Sequence, residues 1–100
     1  MLKFSEVYEK QIRTTNERPD GSDFIAYTTG FDTRDCLINP EYIVAVHPHE
    51  FRSEITAQKV SDFFPEGTKF STLTLDGNSF RKSEILVVGS FEKMCERLGN

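Results

Sequence analysis

Tryptophan is absent from this 100-residue chain, cysteine occurs twice, and the longest uninterrupted apolar run is the stretch 42–46. A membrane-spanning helix needs roughly 20 apolar residues, so the sequence encodes none. The opening Met1-Leu2-Lys3-Phe4-Ser5-Glu6 also lacks the apolar segment of a secretory signal, and the expected location is the cytoplasm of a bacterium or of an infected host cell. Cys36 and Cys95 stand in apolar contexts without CxxC spacing, which points to two reduced, buried thiols, with a disulfide between them as the sharper alternative. Basic clusters are as scarce. The one basic doublet is Arg81-Lys82 and the net charge is −4, so binding to a phosphate backbone or to an anionic membrane is disfavoured. No internal repeat, low-complexity tract or interdomain linker is visible.

What the chain does contain is phenylalanine, nine residues of it. At this length folding buries roughly 60 to 65% of the unfolded surface, so residues 1–100 form a single domain with a small core resting on a few large rings. Self-association would add buried surface to such a core. The acidity is uneven: residues 1–50 hold five Lys or Arg against nine Asp or Glu, and residues 51–100 hold seven against seven.

Residues 2–9 place Leu2, Phe4 and Tyr8 at even positions between Lys3, Ser5 and Glu9, the period of a half-buried strand. Residues 11–23 are polar and contain Arg18-Pro19-Asp20-Gly21, the ingredients of a turn, which predicts a surface loop. Residues 24–29 predict a strand that ends at Gly30, with Asp32-Thr33-Arg34-Asp35 as a further break in which Arg34 pairs locally with its neighbours. Cys36-Leu37-Ile38 and residues 42–47 predict two strands separated by a one-turn interruption at Asn39-Pro40-Glu41. In the second of these both faces are apolar, which suggests a central strand or one covered by a second subunit. Residues 48–67 read as a loop or insertion, within which Ser53 could cap two helical turns. The adjacent rings of Phe63 and Phe64 cannot both enter one core from a strand, so at least one is expected to cover a neighbouring element or a partner chain, which makes the two candidates for a partner or oligomer contact.

The strongest pattern lies in the last third. Residues 70–75 and 80–88 predict a hairpin about a tight turn at Asp76-Gly77-Asn78. A terminal helix follows, capped by Ser90 and stopped by Gly99, with Phe91, Met94, Cys95 and Leu98 on one face and Glu92, Lys93, Glu96 and Arg97 in water.

Chemistry is thin. His47 and His49 would point to the same side of an extended segment, a geometry that can chelate Zn²⁺, but the intervening Pro48 suggests a strand end and no spacing fixes a third ligand. No GxSxG elbow, P-loop or other catalytic signature is present, and no cofactor is implied. Phe70 and Phe80 beside Arg81-Lys82 would suit a small barrel that stacks single-stranded nucleic acid; core rings and solvated cations are the plainer reading.

From Cys36 onward the order Cys-Leu-Ile-Asn-Pro-Glu-Tyr-Ile-Val-Ala-Val, strand, Asp-Gly-Asn, strand and Ser-Phe-Glu-Lys-Met-Cys-Glu-Arg-Leu resembles the small FlbD-like bacterial proteins and short bacteriophage proteins with the same tail. The resemblance implies a small, non-enzymatic regulatory protein and brings no catalytic residues with it. The expected fold is α+β and mainly β, a strongly bent antiparallel sheet or small open barrel with one C-terminal helix. The expected function is that of a non-catalytic interaction or regulatory protein, its partner a second copy of itself through sheet edges or Phe63-Phe64. A small-barrel nucleic-acid binder using Arg81 and Lys82 is the alternative.

Overall fold

The computed structural model describes residues 1–77 and 83–99. The alternation that starts at Leu2 persists far beyond residue 9: β1 runs over Leu2–Glu17 and β2 over Asp23–Ile38, paired antiparallel in one register from Leu2 opposite Ile38 to Glu17 opposite Asp23. The loop expected over 11–23 therefore contracts to residues 18–22. There Arg18 N donates to Ser22 O at 2.7 Å, while Asp20 accepts from the backbone N and the hydroxyl of Ser22 at 2.9 and 2.6 Å. Polarity concealed the strand because β-branched Ile12, Thr14 and Thr15 stand among its polar residues. Thr14 faces Ala26, Thr15 faces Ile25 and Ile12 faces Thr28, pairs of β-branched and apolar residues that suit an extended backbone.

The breaks expected at Gly30 and at Asp32–Asp35 are absent for a related reason. Gly30 is buried inside β2, where an added Cβ would press on the Ile12 side chain and stand 2.8 Å from Phe63 Cζ. It is a point of close approach, not a strand end.

After a 3₁₀ turn at Pro40–Tyr42, in which Asn39 accepts from Glu41 N at 3.1 Å, come β3 (Ile43–His49), α1 (Glu54–Ser61), β4 (Phe70–Leu75), β5 (Glu84–Val88) and α2 (Phe91–Arg97). The five strands make one open antiparallel sheet in the order β2-β1-β5-β4-β3. The fold is thus α+β and mainly β, as the sequence implied, with a second helix capped by Ser53, whose hydroxyl accepts from Thr56 N at 3.4 Å. β3 is an edge strand, so its apolar faces do not mean a central position. The register shifts between Ile43 and Ala45, and the bulged Val44 is left 66% exposed. The turn at Asn78 and the strand start expected at Phe80 lie outside the described residues; the β4–β5 pairing is closed by Leu75 N donating to Ser83 O at 2.6 Å.

Strand parity divides the core in two. Leu73, Leu75, Ile85 and Val87 project to one face with Phe4 and Ile38, and α2 covers them with Met94. Phe70 projects to the other with Val7 and Phe31, and α1 covers them with Val60, supported by the half-buried Phe51, Phe64, Leu86 and Val88. Each face of the sheet carries one short helix.

Gly89 makes the second helix possible. Its φ of +137° is costly for any residue with a Cβ, and such an atom would collide with the Met94 methyl group. Its carbonyl accepts from the fully buried Ser71 hydroxyl at 2.8 Å. Ser90 caps α2 by accepting from Lys93 N at 3.1 Å. Two expectations for α2 change. Phe91 is 37% exposed and does not join the buried face, and Arg97 is not left to water but stands 4.3 Å over the Phe4 ring and donates to Lys3 O. Seven residues give only a narrow line of contact, which Met94 and Leu98 fill, and the long Arg97 stem extends it across β1. Truncating Met94 to Ala is expected to cost about 2 to 4 kcal/mol. Truncating Phe91 is expected to cost under about 1 kcal/mol. Urea unfolding of both variants checks the asymmetry, and equal losses would contradict it.

Candidate interaction surfaces

The hairpin is much longer than the sheet that holds it. Sixteen residues at about 3.3 Å each span about 50 Å, in keeping with a molecule measuring 60 × 29 × 20 Å. β5, with five residues, meets β1 at Glu6 opposite Val87 and accompanies only its first half. In this supported half the charges are locked across strands. Glu6, 6% exposed, accepts from Arg34 Nε at 2.8 Å, and the Arg34 guanidinium lies 4.9 Å from the Tyr8 ring centroid. Lys10 Nζ donates to Asp32 at 2.9 Å. Arg34 and Asp32, expected to pair within a turn, instead tie β2 to β1. The Lys10 ammonium and then the Thr33 backbone N–H hold the Asp32 carboxyl below its ordinary range, and the same bond raises the Lys10 ammonium.

Beyond that point residues 11–17 and 23–29 pair only with each other among the described residues. A two-stranded ribbon on its own is marginal in water. Ile25 and Tyr27 project from one of its faces opposite Thr15 and Arg13, 49% and 66% exposed. They continue the parity of Phe31, which α1 and Phe63 cover nearer the body. Further along the same strand and the same face Leu37 is also exposed.

The two sheet edges differ in their defences. β3 is short, bulged at Val44 and interrupted by Pro48, features that frustrate further pairing. β2 offers sixteen residues without proline or bulge.

A third surface is a groove of about 860 Å³ between the end of β3, α1 with its following loop, and the start of α2. The buried Phe70 underlies it, met edge to face by Phe51 at 5.3 Å and Phe64 at 5.2 Å between ring centroids, and Phe91 flanks it. Glu50, Glu66, Glu92 and Lys69 stand around it.

The residues singled out in the sequence are scattered over these surfaces. Phe64 packs on Phe70 and Phe63 on Phe31, so both rings of the pair serve the chain itself, with Phe63 still 39% exposed. His47 is exposed, whereas His49 is half-buried, with Nδ1 3.2 Å from the Thr72 hydroxyl and its ring edge-on to Phe51. Among the described residues no three His, Cys, Asp or Glu side chains converge as metal ligands. Cys36 and Cys95 are free and half-buried, and burial pushes the Cys36 thiol upward. Arg81 and Lys82 lie outside the described residues. No helix among those described is long and apolar enough to cross a membrane. The ribbon face of Ile25 and Tyr27 escaped the sequence reading; its signal was the alternation of Ile25, Tyr27 and Thr29, masked by the polar partner strand. No protein-family model, curated protein or solved structure matches the chain.

Two outcomes follow from the ion pairs. Arg34→Ala removes the guanidinium from the buried Glu6 carboxylate, and a lower urea midpoint is expected. Because Asp32 is depressed on folding, its contribution is complete above the unfolded carboxylate value and lost as pH falls through the lower folded one, below about pH 4. A carboxylate ¹³C titration should show this low midpoint, and Lys10→Gln should move it upward.

Proposed function

We propose that the chain is a non-catalytic interaction or regulatory protein of bacterial or phage origin that self-associates through β2. One observation carries this reading: an edge strand of sixteen residues, unbroken in register and free of proline and bulges, with Ile25, Tyr27 and Leu37 exposed along one face. Unpaired N–H and C=O groups on such an edge are a template for another strand. Where monomers keep a long edge they usually blunt it, and here the blunting falls on β3.

Antiparallel pairing of β2 with its copy about a two-fold axis joins two five-stranded sheets into one. With Phe31 at the axis, Ile25 of each copy faces Leu37 of the other on the same side of the sheet, because both have the parity of Phe31. The ribbon then gains a third strand, which is what a two-stranded extension lacks. The resemblance of residues 36–98 to small FlbD-like and bacteriophage proteins supports a regulatory role, and the cytoplasm is the compartment proposed with it.

Light scattering across the micromolar range is the test. A mass that rises from one chain to two with concentration is expected. The double variant Ile25→Lys, Leu37→Lys, which sets like charges opposite each other across the axis, should stay monomeric, and since both sites are exposed it should unfold within about 1 kcal/mol of the parent. A wild-type chain that remains monomeric at several hundred micromolar, or a variant that associates as strongly, contradicts the reading.

A further inference from the structure

The aromatic groove is independent of the β2 edge, being formed by other elements. Its volume of about 860 Å³ falls within the range of built binding sites. Val60 and Phe70 are buried beneath it, while Phe51 and Phe64 keep part of their surface open. The chain places arginine over rings in three places, at Phe24, Tyr8 and Phe4, and none of these rings lines the groove. Among the described residues no cation stands over Phe51, Phe64, Phe70 or Phe91.

The rim carries the complementary half. Glu50 follows β3, Glu66 lies in the loop after α1 and Glu92 sits in the first turn of α2, so three acidic residues line the groove from three segments, against one basic residue, Lys69. Among the described residues none of the three carboxylates makes an ion pair. Phosphate-bearing ligands meet repulsion there. The turn at the ribbon tip is no better suited, because Arg18 is surrounded by Glu17, Asp20 and Asp23.

We infer that this groove binds a linear segment of a partner protein that combines lysine or arginine with apolar side chains. The apolar side chains would lie on the phenylalanine floor and the cations at the carboxylates, with ring faces available for cation–π contact. The separation of the carboxylates over three elements favours a segment carrying more than one charge over a single small amine.

The probes are pools of capped hexapeptides that combine Leu, Phe and Tyr with Arg and Lys, with Asp and Glu, or with Ser and Gln, and phenethylammonium as the small cation. Each is titrated into ¹⁵N-labelled protein at a concentration where its assembly state has been measured. The cationic pool is expected to bind at least about tenfold more tightly than the acidic pool, to weaken as salt rises and to shift resonances of the groove residues. The exposed double variant Glu50→Lys, Glu66→Lys, at positions outside both helices, should lose that preference while keeping its unfolding midpoint. Any of four results overturns the inference: no pool binding at millimolar concentration, an acidic preference, a cationic preference untouched by the double variant, or phenethylammonium binding as tightly as the peptides. None of them bears on pairing through β2, which is read separately as mass.

Discussion

A hairpin three times the length of the strand it leans on is the constraint from which the rest of this structure follows. β1 and β2 pair over sixteen residues, and β5 supplies five. The proximal half therefore lies in a sheet with a helix on each face, with Leu37 still exposed at its edge, and the distal half is a ribbon that no helix covers. Core, charge and exposure are distributed accordingly. The locked pairs Glu6–Arg34 and Lys10–Asp32 stand where the hairpin leaves the body, and the exposed Ile25 and Tyr27 stand beyond. A cross-strand ion pair at a partly covered site resists splaying of the strands in a way that an exposed pair does not, because Glu6 has lost most of its water.

The body is economical. With so few aliphatic residues, two layers of side chains are secured by two helices of eight and seven residues, each too short to be stable alone. Their stability comes from packing: Val60 and Met94 are each buried against the sheet, and each helix begins on a serine cap. The Gly89 conformation and the Ser71 hydroxyl fix the angle at which α2 leaves β5. On the opposite side Phe51, Phe64 and Phe70 stack edge to face, which closes that core but leaves ring surface facing the groove. The same scarcity of aliphatics that makes the core small thus makes the groove aromatic.

Legibility in the sequence followed the range of the interaction. Ser53, Asn39, Ser90 and Gly99 act as caps or turns within a few residues of themselves, and each was readable. The strand at residues 70–75 was readable too, because period two survives whatever lies opposite. Gly30 and the Asp32–Asp35 segment misled because glycine and clustered charge signal a turn only when nothing distant requires them. Gly30 is required by Ile12 and Phe63, and Asp32 and Arg34 by Lys10 and Glu6, all more than 17 positions away in sequence. His47 and His49 shared a local pattern but not an environment, since only His49 reaches Thr72 and Phe51.

By itself, then, the sequence determined the class of fold, the strand periodicity, the caps and the absence of any local catalytic signature, all of which depend on neighbours along the chain. Tertiary structure alone decided that β2 is an undefended edge, that half the hairpin stands clear of the body, that Phe63 and Phe64 serve different neighbours and that three carboxylates surround an aromatic groove. Those features depend on which strands lie side by side and how far each extends. Strand order and overhang arise from the sum of many weak long-range contacts, and no window of sequence contains that sum.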